Sequence, residues 1–262
     1  MTHRRYSTDG AASGTMIIEQ AGSLAHQGVD AGVLDRRAAE NLAAKLPGRL
    51  YNDAKRAFDI VAATIGLTVF AILLPVLALI IKLDSPGSIF YSQERVGINR
   101  RRNRQMHAGA DRRKVMYPGR PFRIHKLRTM RNDAEASGPQ WASSGDARIT
   151  RVGRFLRKTR LDELPQLWNV LRGDMSLIGP RPERLFFIRQ LEKEVPHYHD
   201  RLLIKPGLTG LAQVRNGYDD SLDSVKRKVE FDRDYIRRCG PLTDAGILLE
   251  TVRVVIKGEG AC

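Results

Sequence analysis

Two adjacent carboxylates, Asp162 and Glu163, stand in the stretch TRLDELPQLWNVLRGDMSLIGPRPE, Thr159 to Glu183, which is otherwise rich in arginine and leucine. A glycosidase pair fits them poorly. It needs carboxyls about 5 to 9 Å apart across a scissile bond, whereas neighbours on a helix point about 100° apart. Phosphoryl transfer fits better: a carboxylate can be the nucleophile and form an acyl phosphate. That chemistry needs cations on the phosphate oxygens and usually Mg²⁺. Arg157 lies one to two turns upstream of Asp162. Arg181 stands between Pro180 and Pro182, so its backbone is stiff and its fork can hold a phosphate bidentately. Glu163 would share the metal or move a proton. The structural alternative is that Asp162 caps a helix and Glu163 balances nearby arginines, and residue types alone leave it open.

The elements that must carry these groups can be read from spacing. Leu164, Leu167, Trp168 and Leu171 recur at helical intervals, and Gly173 is a stop signal. If Asp162 is the N-cap, Pro165 falls in the first turn, where its missing N–H costs little. A helix N-terminus favours carboxylate and phosphate alike. In the helix before it, Val152, Phe155 and Leu156 share a face, while Arg151, Arg154, Arg157 and Lys158 make the others cationic. Trp168 is expected as a core or interfacial anchor. SIFYSQERVG reads as a short strand ending at Gly97. PFRIHKLRTM reads as a strand or edge segment, with Phe122, Ile124 and Leu127 inward and Arg123, His125, Lys126 and Arg128 variously outward. His125 has no second histidine at ligand spacing.

The 262-residue chain carries a formal net charge of +15, which implies an anionic partner. No helix-turn-helix, zinc-finger or RNA-binding aromatic signature is present, so no nucleic acid is expected. Its two cysteines, Cys239 and Cys262, form no metal-spaced cluster. Ile60 to Ile81 holds no charged residue. As a helix it would be roughly 33 Å long, a match to a hydrocarbon core of about 30 Å, which predicts membrane insertion. Both flanks are basic: Lys55 and Arg56 precede it, and Lys82, Arg95 and the cluster from Arg100 to Arg104 follow. Both ends therefore prefer the cytoplasmic face. Pro75 interrupts the run and can turn it back as a re-entrant hairpin; a tilted, kinked single span fits the physics equally. Asp59, at the edge, is expected to pair with a base or reach the interface. PLTDAGILLETVRVVIKG, near the C-terminus, is amphipathic and suits either the membrane interface or the domain surface.

Taken together, KRAFDIVAATIGL…LLPVLALIIKLDSPGSIFYSQERVG, FRIHKLRTM, LDELPQLWNVLRGDMSLIGPRPE and KPGLTGLAQV resemble the bacterial sugar transferase family. These are the monotopic polyprenyl-phosphate phosphoglycosyl transferases that begin exopolysaccharide, O-antigen and glycoprotein glycan assembly. The motifs run in order from about Lys55 to Lys257. The resemblance implies an α/β, mostly helical fold, with a re-entrant membrane helix, amphipathic interfacial helices and a small cytosolic catalytic domain. The organisation expected is a weakly ordered N-terminal extension (1–50), with a short surface helix from Asp35 to Lys45, then a re-entrant helix kinked at Pro75 (51–83) and a catalytic domain (84–262). That domain carries a basic insertion (99–121), read as a solvated loop or a lipid-headgroup contact.

What the resemblance implies for function is transfer of a sugar-1-phosphate from a UDP-sugar to undecaprenyl phosphate, with release of UMP, at the cytoplasmic face of the bacterial inner membrane. Asp162 matches the nucleophile and Mg²⁺ ligand, and Glu163 its partner. Lys126, Arg157 and Arg181 match cationic positions around the diphosphate or carboxylates. Asp232 matches an acidic position near the nucleotide. The partners implied are the UDP-sugar, undecaprenyl phosphate and an anionic lipid bilayer; self-association as a homo-oligomer is left open, and so is the identity of the sugar. One departure is that Leu74-Pro75 stands where relatives carry Ser-Pro. Without a multi-span bundle upstream, the chain is similar to the small, minimal members.

Overall fold

The computed structural model describes residues 39–99, 118–136, 138–141, 145–216 and 221–258. The extension before residue 39, the basic stretch 100–117 and Cys262 lie outside the described residues. Residues 39–44 are helical, within the surface helix expected there, although Leu42 is buried.

The apolar run lies in one 36-residue helix, α1 (Arg49–Asp84), which continues without interruption through Pro75. Its buried residues, Asp59, Ala63, Phe70, Leu77 and Ile81, recur at intervals of four and seven and so form one stripe. Val61, Ile65, Val69, Ile72, Val76, Leu79 and Leu83 stay exposed on the other flank. Among the described residues, α1 is the one helix long and apolar enough to cross a membrane. At about 1.5 Å per residue it is about 54 Å long.

Both ends of α1 are fastened to the same polar body. Near the start, Lys55 Nζ donates to Asp244 Oδ2 at 2.6 Å, and Asp244 also accepts from Tyr51 at 2.7 Å and Tyr235 at 2.8 Å. At the far end, Asp84 Oδ2 accepts from the Val152 amide at 3.1 Å. Arg128 donates to the carbonyls of Ser85 at 2.6 Å and Ile81 at 3.4 Å. Arg128 is therefore not one of the outward cations expected of its segment. It is buried because the last carbonyls of a helix need donors.

After α1 the chain forms β1 (Phe90–Val96) and β2 (Pro121–Leu127), paired antiparallel from Phe90 opposite Leu127 to Val96 opposite Pro121. Phe122, Ile124 and Leu127 are buried as expected, but strict alternation accounts only for Phe122 and Ile124, which share one cluster; Leu127 is out of phase and packs in another. Helix α2 (Arg151–Lys158) follows, capped by the Thr150 side chain. A 3-10 helix (Leu161–Gln166) leads into α3 (Leu167–Arg172). Next come β3 (Ser176–Ile178), α4 (Leu185–Leu191), a second 3-10 helix (Tyr198–Leu203) and β4 (Gly207–Thr209). β4 pairs parallel with β3. The chain continues through α5 (Leu211–Arg215), α6 (Leu222–Arg238) and α7 (Pro241–Lys257). Among the described residues the result is a mostly helical structure with two small two-stranded sheets.

Two details differ from the spacing argument. Leu156 is fully buried and Val152 partly so, but Phe155 is half exposed. One α-helical step of about 100° separates neighbours, so α2 can seat Leu156 only by turning Phe155 away. Trp168 is also half exposed, which favours its reading as an anchor over a core residue. On α7, Ile247 is buried while Leu242, Leu249, Val252 and Ile256 are exposed, so this helix packs on the domain and still presents an apolar face.

Gly153 of α2 abuts the Thr129 backbone carbonyl, where a methyl group would collide. Because the obstacle is backbone, Gly153→Ala must push α2 away. The expected cost is about 2 kcal/mol, read as a lower thermal midpoint than that of the wild type.

Candidate active site

The acidic pair lies in the 3-10 helix, and its setting departs from the expected cap. The residue before the helix is Arg160, held in the left-handed region at φ 59°, and no side chain caps the turn. Asp162 is the second helical residue. Pro165 has no N–H for the Leu161 carbonyl four residues back, and in an α-helix its ring would crowd that carbonyl; the segment is 3-10 until α3 starts at Leu167. Asp162 and Glu163 are both buried.

Their partners differ sharply. Glu163 Oε1 accepts from Lys126 Nζ at 2.8 Å and from Arg181 Nη2 at 2.6 Å, and Arg181 Nη1 reaches Oε2 at 3.4 Å. Asp162 Oδ1 is buried without a hydrogen-bond partner among the described residues. Burial by itself would push the Glu163 carboxyl up, but Arg181 and Lys126 outweigh it and hold it well below the usual carboxylate range. Burial raises Asp162 to about 6. Lys126, Arg157 and Arg181 oppose that rise, and the Glu163 charge adds to it. Lys126, on β2, is lowered by its own burial against the pull of Glu163. One acid is thus locked as a structural anion, and the other is left for an incoming group.

Arg157, from α2, donates its Nε to Thr129 Oγ1 at 2.9 Å, so it enters the site as a charge near Asp162 rather than as its hydrogen-bond partner. Arg181 follows β3 through Gly179 and Pro180. Its carbonyl accepts from Arg201 Nη2 at 2.9 Å, and Arg201 Nε donates to Asp232 Oδ2 at 2.6 Å. Asp232 is fully buried in this pair. It is joined to the acidic pair through Arg201 and the Arg181 backbone.

Several contributors carried no local signal. Thr129 holds Arg157, and Arg201 holds the Arg181 carbonyl. Gln166, buried with its Nε2 unpartnered, lies one 3-10 turn after Glu163, where side chains eclipse. Glu183, which closes the Gly-Pro-Arg-Pro run, accepts from Lys228 at 2.7 Å and Arg95 at 3.4 Å. Arg95 also reaches the Pro182 carbonyl at 3.3 Å.

Burial would raise Glu183, but Lys228, Arg95 and Arg201 bring it down to about 2. A carboxylate depressed on folding contributes stability above its unfolded pKa and loses it as pH falls through the folded value. The loss is therefore expected between about pH 4.5 and 2, with an upper bound of about 3 kcal/mol. Glu183→Gln should flatten the fall of thermal midpoint with acid over that range.

A hard divalent cation fits the unpartnered Asp162 oxygen. Mg²⁺ characteristically takes one or two carboxylates and completes its shell with substrate phosphates and water. Asp162 is the residue that would hold such an ion, since its Oδ1 is buried with no hydrogen-bond partner among the described residues.

Comparison with known proteins shows what the chain is similar to. The bacterial sugar transferase model matches residues 50–258. A UDP-N-acetylgalactosamine-undecaprenyl-phosphate N-acetylgalactosaminephosphotransferase of Aeromonas hydrophila is 40% identical over 228 residues, 87% of this chain and 49% of that protein. A UDP-glucose:undecaprenyl-phosphate glucose-1-phosphate transferase of Caulobacter vibrioides is 38% identical over 247 residues, 94% of this chain and 85% of that protein. A putative undecaprenyl-phosphate N-acetylgalactosaminyl 1-phosphate transferase of Bacillus subtilis is 45% identical over 152 residues, 58% of this chain and 74% of that protein. The chain spans about half the length of the Aeromonas relative and most of the Caulobacter one. With the family match extending from the start of α1 to the end of α7, the chain belongs to the bacterial sugar transferase family.

Proposed function

We propose that this chain transfers a sugar-1-phosphate from a UDP-sugar to undecaprenyl phosphate and releases UMP, as the first membrane step of polysaccharide assembly. The observation that carries the reading is the asymmetry of the acidic pair: Glu163 is tied to Lys126 and Arg181, while Asp162 keeps a buried oxygen without a partner. An Asp162 carboxylate oxygen attacks the β-phosphorus of the UDP-sugar. A P–O bond to Asp162 forms, the bond from the β-phosphorus to the bridging oxygen breaks, and its electron pair leaves with UMP. An oxygen of the lipid phosphate then attacks the same phosphorus, and the aspartyl P–O bond breaks to restore the carboxylate. Mg²⁺, held by Asp162 and the diphosphate, would neutralise phosphate charge. Lys126, Arg157 and Arg181 supply fixed positive charge where negative charge gathers. Glu163 holds two of those cations in place.

The membrane reading follows from α1. Its two ends are tied to one polar body, through Lys55 and Asp244 at the start and through Asp84 and Arg128 at the finish. A helix that crossed the bilayer fully would separate its ends by the hydrocarbon core. A helix that enters one leaflet and keeps both ends on the cytoplasmic face satisfies both sets of contacts. The exposed flank of α1, with Trp168, Phe155 and the outer face of α7, is the lipid-facing surface of this arrangement.

The test is UMP release by purified protein with Mg²⁺, undecaprenyl phosphate and a panel of UDP-hexoses and UDP-N-acetylhexosamines. Release with one or a few donors is expected. No release with any donor would overturn the reading.

A further inference from the structure

Two of the polar side chains on the protein-facing side of α1 grip the segment that joins the acidic pair to Arg181. Arg56 donates to the Val170 carbonyl at 2.6 Å and the Leu171 carbonyl at 2.7 Å. These are among the last carbonyls of α3, where donors run short; the Val170 carbonyl also accepts from the Gly173 amide at 3.0 Å. Three residues on, Asp59 is buried, and its Oδ1 accepts from Ser176 Oγ at 3.1 Å and from the Leu177 amide at 3.0 Å. Asp59 is expected to pair with a base or reach the interface; among the described residues its hydrogen-bond partners are Ser176 and the Leu177 amide. It holds two neutral donors at the start of β3.

We propose that Arg56 and Asp59 are positioning residues for the transfer reaction, setting the distance between the acidic pair and Arg181 from within the membrane helix. The inference rests on the proposed activity. From Glu163 the chain runs through the 3-10 turn into α3, reverses at Gly173, enters β3 and reaches Arg181 three residues after it ends. Arg56 fixes the last turn before the reversal, and Asp59 fixes the first residues after it. Arg181 then folds back onto Glu163 at 2.6 Å. A buried carboxylate on an otherwise apolar helix is costly unless its hydrogen bonds are made, so α1 seats fully only when β3 is in place. Helix seating and alignment of the cations near Asp162 become one event.

One atom, Oδ1, takes both bonds, so the device needs a carbonyl-type acceptor and not a negative charge. Asp59→Asn should keep wild-type kcat within about threefold, whereas Asp59→Ala should lower kcat at least tenfold, a change of about 1.4 kcal/mol. The KM for UDP-sugar should stay within about twofold, because the alignment acts in the transition state. Both variants should remain in the membrane fraction. Ser176→Ala, which removes one donor and leaves α1 untouched, should lower kcat about threefold and decides the matter if Asp59→Ala fails to fold. The measurement is UMP release at varied UDP-sugar, on detergent-solubilised full chain with a matched thermal midpoint for each variant. Wild-type kcat in Asp59→Ala or in Ser176→Ala would overturn the proposal. So would a loss in Asp59→Asn equal to that in Asp59→Ala, or a rise in KM at unchanged kcat. Absence of UMP release by the wild type strikes the proposed function itself; loss or retention among variants of an active wild type bears on positioning alone.

Discussion

Asp162→Asn should abolish UMP release, lowering it by at least about 10³-fold, the scale on which loss of a covalent nucleophile is felt. The substitution keeps shape and removes the nucleophilic charge. It should not act through unfolding. Burial raises the Asp162 carboxyl to about 6 against the opposing pull of Lys126, Arg157 and Arg181. A carboxyl raised on folding makes the native state bind its proton more tightly. Stability then falls as pH climbs from about 4 to 6 and stays reduced above. At neutral pH the ionised Asp162 costs up to about 3 kcal/mol. Asparagine carries no such cost, so the variant should melt at the same temperature or higher while remaining in the membrane fraction. Intact mass after incubation with UDP-sugar alone gives the complementary result: one phosphosugar added to wild type and none to Asp162→Asn. A wild type that turns over without ever carrying that mass would mean direct transfer, with Asp162 serving as a metal ligand only. An Asp162→Asn protein that still releases UMP at the wild-type rate would remove Asp162 from the chemistry altogether.

Arg181→Ala should damage both stability and rate. Its guanidinium spans both oxygens of Glu163, at 2.6 and 3.4 Å. Truncation leaves a buried carboxylate with Lys126 as its remaining hydrogen-bonded cation among the described residues. Removing one partner of a buried pair costs about 3 to 5 kcal/mol. The low end is expected, because the Arg181 side chain is 32% exposed and water can partly replace it. The rate should fall about 10² to 10³-fold, as when one preorganised donor to a developing charge is lost. Arg181→Lys tests the geometry. It restores the charge, but an ammonium cannot span both carboxylate oxygens, so the thermal midpoint should largely recover while the rate recovers only in part. Equal recovery of both would reduce Arg181 to a charge.

Much of the site was legible because it is local. Asp162, Glu163, Arg157 and Arg181 lie within a stretch of 25 residues, and the proline on each side of Arg181 marks a stiff backbone whatever surrounds it. The strand around Gln93 was readable from its β-branched and aromatic residues, that around Ile124 from its alternating apolar and basic residues, and α1 from its charge-free run, for the same reason. The 3-10 turn was not. Asp162 looked like an N-cap because the choice between α and 3-10 geometry depends on Pro165 and the Leu161 carbonyl together and on Arg160 accepting a left-handed conformation. Lys126 and Asp232 were assigned to the site only through the family resemblance. The Arg201 that ties Asp232 to the Arg181 carbonyl stood out in neither way, since its partners lie 31 and 20 residues away along the chain.

The sequence by itself determined the chemistry available: an acidic pair, a rigid arginine, an excess of cations and an apolar helix with basic flanks. Only the tertiary structure decided how the labour is divided. It closed Lys126 and Arg181 onto Glu163 rather than Asp162, turned Phe155 outward so that Leu156 could be buried, and placed Asp59 against Ser176, 117 residues away. Residue types and spacing set which groups can ionise, donate or bend. Which carboxylate is neutralised and which is left reactive depends on desolvation and on partners brought close by the fold, and a buried charge pairs with whatever that fold puts within hydrogen-bonding distance.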